Sequence, residues 1–475
     1  MSERDTQITR RRFLQASLAG SAAVLGLPGL SRGDDSPPNF VVIYCDDLGY
    51  NDLGCYGSEL IKTPRLDRMA SEGVRFTDFY SAAAVCTPSR AALMTGCYPP
   101  RVNMPGVLSP GSNTGISDYE ITLAQLLKSR GYATACIGKW HLGWQKPFLP
   151  TRHGFDYYFG LPYSNDMPRP DNPVPLIRNE RIIEQPVVQE TLTERYTQQA
   201  IEFITRNRNR PFLLYLPHTM PHTPLSVTER FAGKSKRGLY GDVVECIDWS
   251  TGEILDTLAK LGLEKNTLVM FSSDNGPWLS QKANGGSALP LRAGKATTWE
   301  GGMREPGIFR WPGRIPAGQT CRELASTMDI LPTFAGLADA QVPTDRIIDG
   351  KDIWPLISCD PSTGSGGARS PHEAFFYYWH YELHAVRSGK WKLVLEHNWP
   401  RKEDKVAQQL FDLETDIGET TDVSAQYPSV VKRLTAHVER IREDIGDQLT
   451  GTKGKNRRPC GEVTPVAEPR KKAEK

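Results

Sequence analysis

The segment from Cys86 to Gly96 carries the residues best suited to chemistry. It reads Cys-Thr-Pro-Ser-Arg-Ala-Ala-Leu-Met-Thr-Gly, which predicts a helix with a cysteine at its N-terminal end. Free N–H groups and the helix dipole favour negative charge at that end. Cys86 is therefore a candidate nucleophile beside a site for an anion. The alternative is a small buried cysteine with no chemical role, preceding a helix that Pro88 starts.

Four short apolar runs predict buried strands of a parallel sheet. They are Asn39–Cys45, Tyr132–Ile137, Phe212–Leu216 and Thr267–Phe271. Polar residues follow each run directly, namely Asp46 and Asp47, Lys139 and His141, His218 and His222, and Asp274 and Asn275. Ligands bind at the C-terminal strand ends of an open α/β sheet, so we expect these side chains to meet. Asp46 and Asp47 need a neutralising partner there, unless they only cap the following turn.

Helical segments alternate with these strands. Leu123–Arg130, Thr191–Arg206 and Asp242–Leu261 carry apolar residues at helical spacing, and the glycine after two of them is a natural C-terminal stop. The alternation predicts an α/β fold, with a large mixed or parallel sheet sandwiched by helices. A chain of 475 residues is long enough for this sheet and a second, smaller domain.

The composition changes after the predicted catalytic domain, residues 36–360. Residues 361–370 are rich in Ser, Gly and Pro, which predicts a linker. Residues 371–449 contain short strand-like runs and one final helix, which predicts an α+β subdomain with an antiparallel sheet. Residues 450–475 contain many Lys, Arg, Pro and Gly residues and few apolar ones. They predict a disordered basic tail.

The first 35 residues resemble a targeting segment. Three arginines, Arg10 to Arg12, precede Phe13-Leu14 and an apolar run of small residues from Ala16 to Leu30. This pattern predicts a twin-arginine export signal and a periplasmic or extracellular protein that uses the twin-arginine translocase. A membrane anchor is the rival interpretation, but glycines and a proline interrupt a run already short for a span. The protein stays anchored if the segment is not cleaved.

Composition and charge exclude several classes. The chain is 39% hydrophobic and 24% charged, with a net charge of +2, so no global charge favours nucleic acid as a partner. Its nine cysteines are widely scattered, without the close pairs of a disulfide framework.

The run Cys-x-Pro-Ser-Arg-x-x-Leu-x-Thr-Gly from Cys86 resembles the signature of the type I sulfatases and matches every fixed position. Five further blocks occur in the order of that family. They are Asp46-Asp47, Gly138-Lys139-Trp140-His141-Leu142-Gly143, Leu161-Pro162-Tyr163-Ser164-Asn165-Asp166, Asp274-Asn275-Gly276 and Gly294–Gly302. The resemblance runs from about Asn39 to Ser424, is closest to the arylsulfatase A branch, and implies an alkaline-phosphatase-like fold. Cys97 stands where many relatives have Arg.

The resemblance implies that a formylglycine-generating enzyme oxidises Cys86 to Cα-formylglycine, an aldehyde that hydrates to a geminal diol. One hydroxyl attacks the sulfur of a sulfate ester and takes the sulfuryl group. The other, once deprotonated, expels sulfate by C–O cleavage, so that water never attacks the ester directly. Arg90, one helical turn further on, reaches back toward this group. The implied substrate is a sulfated small molecule or a sulfated glycan.

The resemblance also implies one calcium ion. Its ligands are Asp46, Asp47, Asp274, Asn275 and the modified Cys86. The four unmodified residues supply hard oxygen ligands, which suit calcium or magnesium and not a soft metal. The ion helps to hold the diol and polarises a sulfate oxygen.

The remaining roles follow from the same resemblance. Lys139 and Lys295 bind sulfate oxygens and assist the leaving group, and Ser164 orients groups at the site. His141 takes the proton from the second hydroxyl. His222 protonates the departing oxygen, a role suited to histidine, and its Pro-His-Thr-Pro context favours it over His218.

Two other functions fit the same residues. A diol, a cation and two lysines also suit a phosphonate or phosphate ester hydrolase of the alkaline phosphatase superfamily. A sulfoglycan-binding protein that is never matured would keep the pocket without the reaction. The loops 101–120 and 166–190 follow no motif, so the sequence does not predict the leaving alcohol.

Overall fold

The computed structural model describes residues 36–168, 172–359, 368–399 and 403–464. The predicted export signal (1–35), most of the predicted linker and residues 465–475 lie outside the described residues. The helices are α1 (Pro64–Ser71), α2 (Cys86–Thr95), α3 (Leu123–Ser129), α4 (Leu192–Arg206), α5 (Leu239–Lys260), α6 (Glu300–Met303), α7 (Ile330–Leu337), α8 (Trp354–Ile357) and α9 (Pro428–Asp444). None of the helices in the described ranges is long and apolar enough to cross a membrane.

The strands up to residue 326 are β1 (Asn39–Cys45), β2 (Val74–Tyr80), β3 (Thr114–Gly115), β4 (Ala133–Ile137), β5 (Tyr157–Gly160), β6 (Leu176–Arg178), β7 (Arg181–Glu184), β8 (Phe212–Pro217), β9 (Thr267–Ser273), β10 (Arg304–Arg310), β11 (Gln319–Cys321) and β12 (Ala325–Ser326). The later strands are β13 (Phe375–Trp379), β14 (Glu382–Ser388), β15 (Trp391–Val394), β16 (His397–Asn398), β17 (Lys405–Val406), β18 (Gln409–Asp412), β19 (Gly446–Asp447), β20 (Thr452–Lys453) and β21 (Gly461–Glu462).

Strand β1 lies in the middle of a mixed sheet of eleven strands. Their order is β11-β2-β10-β9-β1-β8-β4-β5-β6-β7, with β12 paired to β2. β1 runs parallel to β8 on one side and to β9 on the other. All seven residues of β1 are buried, which is why its sequence is continuously apolar and does not alternate.

Successive side chains of β1 enter two separate cores. Val41, Ile43 and Cys45 pack with residues of α1, α4 and α5 on one face of the sheet. Phe40 and Val42 pack with residues of α2, α3 and α7 on the other, because side chains alternate across a strand. Helices therefore cover both faces of the sheet. The predicted α/β fold class is confirmed.

The C-terminal part forms an antiparallel sheet of four strands in the order β13-β14-β15-β18. Helix α9 packs on it through Leu434 and Val438, which share a hydrophobic cluster with Phe375. Tyr80 and Met328, from the part of the chain that holds the large sheet, belong to the same cluster. The second sheet therefore shares its core with the first part of the chain, and the described residues from Pro37 onward form one compact unit.

Residues 450–464 are structured, so the predicted disordered tail is wrong for this part of it. β20 pairs with β19, and β21 pairs with β3. The side chain of Arg458 donates to Glu120, with Nε 2.6 Å from Oε1, and to the sulfur of Cys97 at 3.1 Å. A low apolar content predicts disorder, but a part-buried ion pair and strand pairing hold this segment instead.

Candidate active site

The C-terminal ends of four neighbouring strands meet at one edge of the large sheet. Asp46 and Asp47 follow β1, Lys139 and His141 follow β4, His222 follows β8, and Asp274 and Asn275 follow β9. Helix α2 and two loops add the other predicted residues, Cys86, Arg90, Ser164 and Lys295. Lys295 is 10% exposed, and the other predicted site residues are at most 3% exposed. The structure thus brings together all the site residues predicted from the sequence.

Helix α2 begins at Cys86 itself, and Pro88 is its third residue. All ten residues of the helix are buried, and the residue that follows it is Gly96, whose φ of 68° is the left-handed conformation that glycine favours at a helix C-cap. The hydroxyl of Ser89 lies 2.9 Å from that of Tyr44 on β1. The first turn of α2 is therefore tied to β1 through Ser89, and Cys86 lies at the helix N-terminus, where an anion is favoured.

Arg90 joins the ends of three strands. Its Nη2 lies 2.7 Å from Oδ2 of Asp274 and 3.6 Å from Oδ2 of Asp46. Its Nη1 donates to the backbone oxygen of Lys139 at 2.8 Å. The ammonium of Lys139 lies 2.5 Å from Oδ2 of Asp46 and donates to Ser164 Oγ at 3.1 Å. These fully buried charges are paired, as burial requires.

Asp47 is the second centre of contacts. Its Oδ2 accepts a hydrogen bond from Lys295 Nζ at 2.7 Å and lies 3.7 Å from Nε2 of His222. Its Oδ1 accepts one from the side-chain amide of Asn275 at 2.8 Å, and its N–H donates to Asp274 at 3.2 Å. Asp47 has a φ of 67°, which is rare for a residue with a Cβ and is typical of strained functional sites.

Two candidate ligand oxygens at this edge are buried and lack hydrogen-bond partners within the described residues. They are Oδ1 of Asp46 and Oδ1 of Asn275. Asp46, Asp47 and His222 each offer a ligand atom, and these atoms lie within 4.8 Å of one another. An unsatisfied buried oxygen costs free energy, and a hard divalent cation prefers such ligands. The donor set therefore fits a metal ion of the calcium or magnesium type.

Burial and charge shift the titration of the site residues. Burial raises the pKa of Cys86, although Lys139 and Lys295 oppose this shift. Burial and then the charge of Asp46 raise the pKa of Asp274 to about 7. Burial opposes ionisation of Asp46 as well, but the cations around it, Lys139 first, hold its pKa well below the usual range. A bound divalent cation would favour the ionised form of all these acids.

The two histidines are arranged differently. Nε2 of His141 lies 2.8 Å from the backbone oxygen of Leu108, so Nε2 carries the proton and Nδ1 is left as an acceptor. Burial, and then Lys139, hold the pKa of His141 well below its usual value. Burial also lowers the pKa of His222, while Asp47 opposes this shift. His141 is therefore a neutral imidazole placed to accept a proton, whereas His222 has a carboxylate beside it.

Two residues of this site were missed by the sequence reasoning. Leu108 orients His141 only through its backbone, so its side chain gives no signal. The indole of Trp278 lies 5.5 Å from the ring of His222 and 4.4 Å from Nζ of Lys295. Trp278 stands directly after Asp274-Asn275-Gly276-Pro277, and this adjacency was the signal available.

Each of the comparisons with known proteins finds sulfatases. The sulfatase family model matches residues 38–340, and the model for the C-terminal region of aryl-sulfatase matches residues 370–466. Arylsulfatase A of Bos taurus is 42% identical, over 75% of this chain and 74% of its own. Steryl-sulfatase of Homo sapiens is 40% identical, over 74% of each chain. The crystal structure of the PsFucS1 sulfatase from Pseudoalteromonas sp. superposes with a TM-score of 0.77 at 28% identity, covering 86% of this chain and 91% of that one.

The fold and the family define an ester hydrolase of alkaline-phosphatase-like architecture, with its candidate site at the C-terminal edge of the large sheet. The chain belongs to the sulfatase family, in the group that resembles arylsulfatase A, and is an enzyme that hydrolyses sulfate esters. The family and the reaction predicted from the sequence are confirmed.

Proposed function

We propose that this sulfatase uses a formylglycine made from Cys86 and one calcium ion. The observation that carries the proposal is the position of Cys86. It is the first residue of a wholly buried helix, and Lys139 and Lys295 are the charges that most favour an anion there. In many enzymes, the stabilisation of negative charge at the reacting atom is the largest contribution to catalysis.

The hydrated aldehyde supplies the attacking oxygen. Lys139 and Lys295 bind oxygens of the sulfate group and offset the charge that develops on it. Ser164 keeps Lys139 in place, because its hydroxyl accepts a hydrogen bond from the ammonium. Asp47 does the same for Lys295 at 2.7 Å. Both lysines are thus oriented before the ester binds.

Two histidines move the protons. His141 accepts a proton at Nδ1, since Leu108 fixes its Nε2 as the donor. His222 acts as an imidazolium, which carries its second proton at Nε2, beside Asp47, and gives that proton to the departing alcohol oxygen. Its Nδ1 lies 2.5 Å from the backbone oxygen of Thr223, which fixes the ring orientation that a general acid needs.

Asp46, Asp47, Asp274 and Asn275 would hold the calcium ion, which would supply a Lewis acid to polarise a sulfate oxygen. Arg90 keeps Asp274 and Asp46 in position through its ion pairs. The three carboxylates here face three cations, Arg90, Lys139 and Lys295. The two positive charges of a bound ion would then offset the negative charges of the ester and of the ionised nucleophile.

The sequence also supports a location and partners. The arginine-rich first segment supports export by the twin-arginine translocase, which carries folded proteins. A formylglycine-generating enzyme would therefore act on Cys86 before export. We propose a sulfated small molecule or glycan as the substrate.

The test is sulfate release from 4-nitrophenyl sulfate in calcium buffer, with the enzyme co-produced with a formylglycine-generating enzyme. Cys86→Ala is expected to abolish turnover. The matched control is Cys246→Ala, which alters a buried cysteine on α5 and is expected to leave turnover within about twofold. Equal turnover by wild type and Cys86→Ala would contradict the mechanism.

A further inference from the structure

Trp278 connects the buried floor of the active site to the protein surface. Cys86 and His222 are each 3% exposed, whereas Trp278 is half-buried and the next residue, Leu279, is 45% exposed. The indole lies against two groups at once, 5.5 Å from the ring of His222 and 4.4 Å from the ammonium of Lys295. It therefore forms a wall of the site that also faces solvent.

Backbone contacts fix this wall. The N–H of Lys295 donates to the backbone oxygen of Pro277 at 2.9 Å, and that of Gly276 donates to Gly302 at 3.2 Å. A Cβ at Gly276 would lie 1.8 Å from the backbone oxygen of Gly301. The segment that carries Trp278 is thus packed tightly against the loop that carries Lys295.

The position of Trp278 determines which part of the substrate it would contact. This step rests on the proposed function, in which Lys295 binds the sulfate group and His222 protonates the departing oxygen. The alcohol joined to that oxygen must then extend beside these two side chains. The indole contacts both and reaches solvent, so it faces the alcohol as the product leaves.

An indole face distinguishes alcohols by shape. It binds planar rings and the apolar faces of sugar rings through stacking and burial of surface. A short acyclic alkyl group offers much less apolar area to bury. We propose that Trp278 is a specificity-determining residue that holds the ring of the leaving alcohol, so that the enzyme prefers ring-bearing sulfate esters to acyclic alkyl sulfates.

A simpler role for Trp278 is to hold Lys295 through the cation–π contact. That role would affect every sulfate ester equally, because each places the same sulfate group on Lys295. The ratio between a ring-bearing and an acyclic substrate therefore separates the two roles.

The experiment measures kcat/KM for phenyl sulfate and for ethyl sulfate with Trp278→Leu and Trp278→Phe. Trp278→Leu is expected to lower the phenyl-to-ethyl ratio about tenfold, the upper range for aromatic stacking, while Trp278→Phe keeps most of it. Trp249→Leu, at a half-buried tryptophan packed on Phe231, is the matched control and is expected to keep the ratio. An unchanged ratio in Trp278→Leu would overturn the proposal. Trp278→Gln repeats the test if the leucine variant does not fold.

Inhibition gives a second readout that needs no turnover of ethyl sulfate. Trp278→Leu is expected to weaken competitive inhibition by phenylphosphonate about five- to tenfold and to leave inhibition by inorganic sulfate nearly unchanged. Equal weakening of both inhibitors would overturn the proposal. Cys86→Ala separates this result from the proposed function. If Cys86→Ala retains turnover, the formylglycine mechanism fails; if it is inactive and the Trp278 ratios are unchanged, only the role of Trp278 fails.

Discussion

Residues of opposite charge are packed together around Asp47 with almost no access to water. Three cationic side chains and three carboxylates lie within one connected network. Charge interactions are much stronger there than in water, which suits the stabilisation of a charged transition state. The same burial makes each residue sensitive to the loss of its neighbour.

His222 is expected to matter most for substrates with poor leaving groups. His222→Gln should lower kcat for an alkyl sulfate about 10²- to 10⁴-fold, because an alkoxide needs the proton of a general acid. It should lower kcat for 4-nitrophenyl sulfate by less than about tenfold, since nitrophenolate leaves without one. Steady-state rates with both substrates check this, with His437→Gln on α9 as a control. Equal losses on both substrates would contradict the acid role.

Calcium is expected to support both activity and stability. Removing it with a chelator should abolish turnover and lower the free energy of unfolding by about 2.7 kcal/mol, relative to calcium at 100 times its Kd. Asn275→Ala should weaken calcium binding, because it removes one of the two unpartnered oxygens. Asn398→Ala, at an exposed position, is the control. Turnover and melting that are unaffected by chelation would argue against a metal ion.

The candidate active-site residues could be found in the sequence because each of them follows an apolar strand or belongs to a motif. Leu108 and Trp278 could not be assigned in the same way. Leu108 acts through a backbone oxygen, which any residue type supplies. Trp278 acquires its neighbours only when the loops of His222 and Lys295 fold beside it.

At the level of helices and strands, the sequence predicted the buried elements best. β1 has the predicted bounds, because all seven of its residues are buried. Helix α5 begins at Leu239, three residues before the predicted Asp242, whose carboxylate instead accepts hydrogen bonds from the backbone of residues 233–235. Short strands such as β7, which is mostly exposed, leave too little apolar pattern to predict.

The C-terminal sheet is joined to the loop of Lys295 through Lys392. Its ammonium is wholly buried, donates to the backbone oxygen of Thr298 at 2.9 Å, and lies 3.0 Å from Glu300 and 2.7 Å from Glu419. The N–H of Glu300 donates to Glu419 at 2.8 Å. One side chain of β15 thus holds the segment that follows Lys295.

Lys392→Met is expected to destabilise the protein by about 3–5 kcal/mol, because it leaves buried carboxylates without their partner. It should also lower kcat, since the loop of Lys295 loses its anchor. Urea unfolding and turnover measure both effects. The matched control is Lys390→Met, two residues away and 41% exposed, which should cost less than about 1 kcal/mol. Equal stability of the two variants would refute the anchoring role.

At the scale of the whole molecule, the last described segment, residues 450–464, contacts the part of the chain that holds the large sheet. The guanidinium of Arg458 donates to the sulfur of Cys97 at 3.1 Å. Arg458 also bonds to the backbone oxygen of Ile347 at 3.0 Å. Composition could not predict the ion pair between Arg458 and Glu120, because the two residues are 338 positions apart and leave no local pattern.

Arg458→Ala is expected to lower the free energy of unfolding by about 3 kcal/mol, because Glu120 is left buried without its partner. Arg440→Ala, at an exposed arginine 3.6 Å from Glu373, should change it by less than about 1 kcal/mol. Urea unfolding of the two variants compares them directly. Matching midpoints for Arg458→Ala and wild type would show that the tail does not stabilise the fold.

In the proposed mechanism, the group made from Cys86 performs the reaction. The most direct test prepares the enzyme with different amounts of formylglycine-generating enzyme and measures two quantities in each preparation. One is the fraction of residue 86 that is converted, read from the mass of its peptide, and the other is the rate of sulfate release. The rate is expected to rise in a straight line through the origin as the converted fraction increases. A rate that does not change with conversion would contradict this mechanism.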